Sequence, residues 1–294
     1  MRVLLATDGS KDSREATAFL KELPLPAATT VRIVAVVSLL EFALDSTSAP
    51  ALKRVVLDRA QEVTEEARAT LAPRGFTIET GVAEGDPRKE IVRQADEWKA
   101  DLVVLGARGL GGVKRFLLGS VSDAVARHAT CPVLIVKGRR RKLGSVLVAM
   151  DGAEDSFQAV RFLRSLVLPR QTRVRLLSVV QRLRYPTTAP QSVHGQLVRM
   201  LKELEAERRA ELDKVLERAA GQLDDKITRV TRSTPTGDPA EEIVAAAQNF
   251  DTDLVVVGAR GVGGVARVLL GSVSERVLHH ARCPVLIVKE RSKV

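Results

Sequence analysis

The chain has 294 residues, of which 45% are hydrophobic, 28% charged and only 3% aromatic, and its formal net charge is +10. That apolar content suffices for a packed core, but no run approaches the roughly 18 apolar residues of a membrane span, so a membrane-spanning helix is excluded. The basic excess does not point to a nucleic-acid binder: four consecutive cations at Arg139 to Lys142 account for much of it, the remaining charges interleave along helices, and stacking aromatics are scarce.

The elements of the first half alternate between apolar, β-branched runs and helical patterns. Strands are expected at Val3 to Thr7, Val31 to Val37, Phe76 to Thr80, Leu102 to Leu105 and Val133 to Val136. Helices are expected at Ser13 to Leu23, Leu52 to Leu71, Pro87 to Trp98 and Ser120 to His128. Strands apolar on both faces and separated by helices indicate a parallel sheet covered on both sides, that is, a five-stranded doubly wound α/β domain. The opening MRVLLATDGS reads as the first strand rather than a signal peptide, so a cytoplasmic location is expected.

The second half says nearly the same thing again. Residues 101–137 and 253–289 are identical at 28 of 37 positions, VLLATDGS at 3–10 matches VLVAMDGA at 146–153, and EGDPRKEIV at 84–92 matches TGDPAEEIV at 236–244. The offset grows from 143 to 152, which places about nine extra residues in the stretch RLRYPTTAPQSVHG of the second half. A period of that length is a duplicated domain rather than a solenoid repeat. The expected organisation is a first domain at 1–138, a basic linker at 139–143 and a second domain at 144–294. Cys131 and Cys283 occupy equivalent places ahead of an apolar strand and read as small buried hydrophobes, with no CxxC partner and no metal site.

In a doubly wound sheet, ligands gather at the carboxyl ends of strands where the winding reverses. Three motifs fall at strand ends: Asp8 after the first strand, Gly85 to Pro87 after the third, and Gly106, Arg108 and Gly109 after the fourth. The last belongs to a pattern of GxxG, nine residues and GS, made by Gly106, Gly109, Gly119 and Ser120 and again by Gly258, Gly261, Gly271 and Ser272. Glycines let a ligand approach backbone amides, and Ser120 or Ser272, read as the cap of the following helix, would present unpaired N–H groups and a positive dipole end to an anion such as phosphate. Gly111 and Gly112 add more glycine than a turn needs. Arg108 and Arg260 place a cation inside each loop, facing either a phosphate or solvent. The pattern is neither a P-loop nor a GxGxxG dinucleotide fingerprint. The blander reading keeps the serines as caps, the glycines as turns, and Asp8 and Asp151 as turn-capping carboxylates.

These motifs carry a resemblance. Both halves resemble the universal stress protein domain, through the first strand ending in DGS or DGA, the GDP turn, the glycine pattern and the closing HATCPVLIV or HARCPVLIV. The resemblance implies ATP as ligand, with or without magnesium. It sets Asp8 and Asp151 near the ribose and adenine, and the backbone of Val36 and Val179 beside the adenine. The family usually has a polar residue just before that valine, where this chain has Ala35 and Ser178. The phosphates fall to Gly109, Gly119, Ser120, Val121 and Ser122, and to Gly261, Gly271, Ser272, Val273 and Ser274. It further implies pairing of the domains through Val133 to Val136 and Val285 to Val288, an internal pseudo-dimer, with a homodimer of two chains left open.

No general base stands beside the phosphate pattern, so slow or absent hydrolysis is expected, with no catalytic residue assigned and Asp8 or Asp151 as the only magnesium contact in view. His128 and His280 lie at the far end of the last helix and suit its negative pole. The helix Gln196 to Gly221 carries Leu197, Leu201, Leu204, Leu212 and Val215 at a spacing that docks it on its own sheet. Three functions remain in play: a nucleotide-binding stress regulator, a slow ATPase, and an interaction protein without nucleotide.

Overall fold

The computed structural model describes residues 1–38, 49–110, 118–138, 143–182, 191–223, 227, 229–261 and 270–289. The first half is β1 (Arg2–Ala6), α1 (Lys11–Glu22), β2 (Thr30–Val37), α2 (Ala49–Leu71), β3 (Thr77–Glu84), α3 (Pro87–Glu97), β4 (Leu102–Gly106), α4 (Ser120–His128) and β5 (Val133–Val136). The second half repeats it with β6 (Ser145–Ala149), α5 (Glu154–Ser165), β7 (Arg173–Leu177), a short β8 (Val180–Gln181), α6 (Gln191–Gly221), β9 (Arg229–Ser233), a short β10 (Thr236–Gly237), α7 (Pro239–Asn249), β11 (Leu254–Gly258), α8 (Ser272–His280) and β12 (Val285–Val288). The expected linker cations Arg139 to Lys142, and Gly111 and Gly112, lie outside the described residues, as does most of the expected insertion.

Ten strands form one sheet in the order β3-β2-β1-β4-β5-β12-β11-β6-β7-β9. Within each half every pairing is parallel, and the order 3-2-1-4-5 places the reversal of winding between β1 and β4, and between β6 and β11. The seam is β5 against β12, antiparallel, with Val133 opposite Ile287, Leu134 opposite Leu286 and Ile135 opposite Val285. Two short apolar strands that would each be a bare sheet edge therefore cover one another.

Two apolar layers sandwich the sheet, and each continues across both halves. One packs Phe19, Leu20, Leu71, Phe157, Leu163 and Leu216 on the face of α1, α2, α5 and α6. The other packs Ile91, Ala95, Val125, Ile243, Val277 and Leu278 beneath α3, α4, α7 and α8. Local signals start the helices. Ser10 accepts the Ser13 N–H at the head of α1, while Asp86 and Asp238 cap α3 and α7, each followed by a proline.

Three expectations need correction. The third strand runs to Glu84 rather than Thr80, because β2 offers it pairing partners through Val37 opposite Glu84. Ser120 and Ser272 are not caps: Gly119 and Gly271 hold the N-cap positions and the serines are the first helical residues. The long helix docks most fully by its C-terminal part: Leu212 and Leu216 are buried and Val215 half-buried there, whereas Leu197 and Leu201 are only half-buried and Leu204 is exposed. The reason is length. A helix of 31 residues spans about 46 Å and a five-residue strand only about 17 Å, so α6 outruns the strands it packs on.

Candidate functional site

The rim at the first switch point is assembled from the ends of β1, β2 and β4 and the start of α4. Gly106 ends β4 where the first turn of α1 crosses it: a Cβ there would lie 2.5 Å from the backbone carbon of Asp12 and 2.7 Å from the Ser13 nitrogen. Only glycine permits that approach, which sets the loop against α1. Beyond it, the Ser10 hydroxyl donates to the Arg108 carbonyl at 3.2 Å, and Arg108 Nε donates to Asp12 Oδ2 at 3.0 Å. Asp8 holds the same loop from the other side, accepting the Ser10 N–H at 2.9 Å and the Leu110 N–H at 3.2 Å. A Cβ on Gly109 would sit 2.6 Å from Asp8 Oδ2.

The helix start completes the rim. Gly119 donates its N–H to the Ala107 carbonyl at 2.8 Å, and Asp123 returns its own to the Gly119 carbonyl at 2.9 Å. The amides of Ser120, Val121 and Ser122 precede that bond, so the helix gives them no carbonyl partner. The hydroxyl of Ser122 is buried and donates to the Gly106 carbonyl at 2.7 Å, so it braces the loop, while Ser120 is exposed at the rim.

Val36 lies two residues past the point where β1 stops pairing with β2. The Val34 carbonyl accepts the Thr7 N–H and the Val37 carbonyl accepts the Gly85 N–H, both at 2.9 Å. Because peptide groups alternate sides along a strand, the Val36 N–H and carbonyl turn toward the cleft above β1. Val179 has the same orientation, between Leu177, whose carbonyl accepts the Met150 N–H at 2.8 Å, and Val180, whose N–H reaches the Pro235 carbonyl at 2.9 Å.

The second rim repeats the plan with different clasps. A Cβ on Gly258 would lie 2.8 Å from Asp155 and Ser156 backbone atoms, and one on Gly261 would lie 2.7 Å from Asp151 Oδ2. Asp151 accepts the Ala153 N–H at 3.0 Å, Gly271 donates to the Ala259 carbonyl at 2.7 Å, and the Ser274 hydroxyl donates to the Gly258 carbonyl at 2.6 Å. Ser272 is exposed and Val273 half-buried on the first turn of α8. Ala153 offers no hydroxyl. Instead Asp155, 3% exposed, accepts both the backbone N–H of Arg260 at 3.0 Å and its Nε at 3.1 Å.

The structure thus brings together at each rim the aspartate, the glycines and the helix start, with the valine peptide over the same cleft. Arg108 and Arg260 are engaged by carboxylates rather than left free. Among the described residues no group of three or more His, Cys, Asp or Glu is placed to hold a metal, so magnesium would depend on phosphate oxygens and water for most of its ligands. What could receive an anionic ligand here is the set of backbone amides at each helix start, which the helix leaves without carbonyl partners. Sequence reasoning missed Asp12 and Asp155, whose signal was their place as the second residue of the helix that follows DGS and DGA. It also missed Lys137 and Lys289, which follow the last strand of each half.

The model of the Universal stress protein family matches residues 1–137 and 143–289. The chain is 31% identical over 245 residues to the universal stress protein Rv2005c of Mycobacterium tuberculosis, covering 81% of this chain and 77% of that one. It is 32% identical over 147 residues to the universal stress protein MJ0531 of Methanocaldococcus jannaschii, covering 48% of this chain and 84% of the relative. In fold it is similar to the crystal structure of a universal stress protein from Archaeoglobus fulgidus, with a TM-score of 0.67 at 22% identity over 100% of this chain and 97% of the other. With both halves matched, the chain belongs to the universal stress protein family.

Proposed function

We propose that the protein is a nucleotide-binding stress regulator with two adenine-nucleotide sites, one at each switch point, and ATP as the ligand, with or without magnesium. The observation that carries this reading is the repeated helix start: the first amides of α4 and of α8 lack helical carbonyl partners and stand beside loops that Gly106 and Gly258 bring against the neighbouring helix. The phosphates lie against Gly109, Gly119 and the amides of Ser120, Val121 and Ser122, and against Gly261, Gly271 and those of Ser272, Val273 and Ser274. Asp8 and Asp151 with the Val36 and Val179 peptides take the ribose and adenine. Gly106 and Gly258 serve by letting α1 and α5 approach, and Arg108 and Arg260 by shaping the loop.

Turnover is slow or absent in this reading, because Asp8 and Asp12 are already engaged, by loop amides and by Arg108. The two halves act as a pseudo-dimer joined at the β5–β12 seam, in the cytoplasm, and occupancy changes the surface offered to a partner.

The test is to denature freshly purified protein, identify released nucleotide by chromatography and mass spectrometry, and titrate the emptied protein with ATP by calorimetry. Two nucleotides per chain support the proposal. Absence of bound nucleotide together with a silent titration would sink it and leave the interaction-protein reading. Rapid, magnesium-dependent phosphate release would instead favour an ATPase.

A further inference from the structure

Each half sends one lysine into the other. Lys137 follows β5, and its ammonium donates to carbonyls at the end of α8: Leu278, His279 at 3.5 Å and Ala281 at 3.2 Å. Lys289 follows β12 and donates to the Arg127 and Ala129 carbonyls at the end of α4, at 2.7 and 2.6 Å. The shared acceptors are equivalent, since Arg127 and Ala129 correspond to His279 and Ala281 in the repeat. The last carbonyls of a helix have no partner within it, and a cation there also meets the negative end of the dipole. Both ammonium groups are largely removed from water, and burial pushes them down to about 8, so at neutral pH they carry their charge at the helix ends.

Both lysines are also tied to the rim of their own half. The Val136 carbonyl, just before Lys137, accepts the Ala107 N–H at 3.0 Å inside the first glycine loop, and the Val288 carbonyl, just before Lys289, accepts the Ala259 N–H at 2.7 Å inside the second. A nine-residue helix is about 14 Å long. Each lysine therefore joins the loop of one half to the far end of the helix whose start forms the rim of the other.

We propose that Lys137 and Lys289 are reciprocal positioning residues: each closes the helix that builds the nucleotide site of the opposite half, so that the two sites are coupled across the seam. The nucleotide part of this inference rests on the function proposed above, whereas the crossed capping does not. A bond lost at Lys137 frees the end of α8, allows its carbonyls to tilt toward water, and loosens the register of the amides at its start. The same logic holds for Lys289 and α4.

The experiment is hydrogen exchange read by mass spectrometry on the full chain, for wild type, Lys137→Met, Lys289→Met and Lys137→Arg, without nucleotide and across an ATP titration. Without nucleotide, Lys137→Met should speed exchange in residues 275–282 by about tenfold while sparing 123–130, and Lys289→Met should do the reverse. With ATP, Lys137→Met should raise the concentration that protects residues 258–274 by about three- to tenfold, more than that for 106–122. Lys137→Arg should restore both, because the cation returns. Lys137→Gln replaces the Met variant if that one does not fold, with the same crossed pattern expected.

Loosening of both helices alike, an unchanged midpoint in the second half despite a loosened α8, or no rescue by arginine would overturn the proposal. Absence of ATP protection in the wild type would overturn the nucleotide reading and the coupling with it. The ligand-free exchange would then still decide the crossed caps.

Discussion

The two halves build the same rim with different fasteners. In the first, the hydroxyl of Ser10 does double duty, accepting the Ser13 N–H at 3.2 Å to cap α1 and donating to the Arg108 carbonyl at 3.2 Å. In the second, Ala153 can do neither, and a buried Asp155 takes over by accepting the Arg260 backbone N–H as well as its guanidinium. Thr7 becomes Met150 in the same exchange, and Ala35 becomes Ser178, whose hydroxyl donates to the Met150 carbonyl at 2.8 Å. What has stayed constant is the backbone: the glycines, the helix start and the parallel order. Loop position can be kept by several side-chain arrangements, whereas the close approach of α1 to β4 and of α5 to β11 cannot be made by any residue with a Cβ.

That contrast can be broken most forcefully at the shared element. Gly106→Ala and Gly258→Ala each drive a methyl into backbone of the facing helix, and each should cost about 3 kcal/mol or more in urea unfolding. A tolerated Gly106→Ala would show that the close approach is not needed.

The fasteners should then separate the halves. Asp155→Ala removes a buried acceptor from the Arg260 N–H and from its Nε and should cost about 2 to 3 kcal/mol. Asp12→Ala loses only a partly exposed ion pair while Ser10 still holds the loop, so about 1 kcal/mol or less is expected. Equal losses in the two variants would show that the clasps are not alternatives.

The crossed lysines should behave alike, and pH tests them. Their folded pKa of about 8 lies below the ordinary 10.5. Below pH 8 both folded and unfolded chains are protonated and stability is flat. Between about pH 8 and 10.5 the unfolded chain holds more protons, so these groups make stability rise with pH, by up to about 1 kcal/mol per pH unit each. Lys137→Met and Lys289→Met should each remove about half of that rise in thermal melts.

The smallest effects belong to the caps. Ser10→Ala should cost about 1 kcal/mol and Ala153→Ser should gain about 0.5 to 1 kcal/mol, read as opposite shifts of the denaturant midpoint. A gain at Ala153 without any change in the second loop's hydrogen exchange would mean that the serine caps α5 but does not clasp the loop.

Much of the fold was legible because its signals are local. Val133–Val136 and Ser120–His128 are where apolar period and flanking residues place them, and the doubling is visible as identity at fixed offset. The misreadings arise where a partner distant in sequence decides. The third strand continues past its apolar residues because β2 lies beside it. The capping role moves from Ser120 to Gly119 because the Gly119 N–H is taken by the Ala107 carbonyl, which turns the chain one residue earlier. At α6 the leucine spacing reads as one docking stripe, but the sheet is too short to meet all of it.

Sequence by itself determined that this is a duplicated doubly wound domain with a glycine-rich rim at each strand reversal, since period, glycine spacing and apolar alternation are properties of the chain alone. Tertiary structure alone decided which groups face each other there: that Asp12 and Asp155 hold the arginines, that the Ser122 and Ser274 hydroxyls turn inward to glycine carbonyls, and that Lys137 and Lys289 cross the seam. Those contacts join residues about 16 to 160 positions apart, and only the packing of helices on a shared sheet, driven by burial of the apolar faces, brings such residues within hydrogen-bond distance.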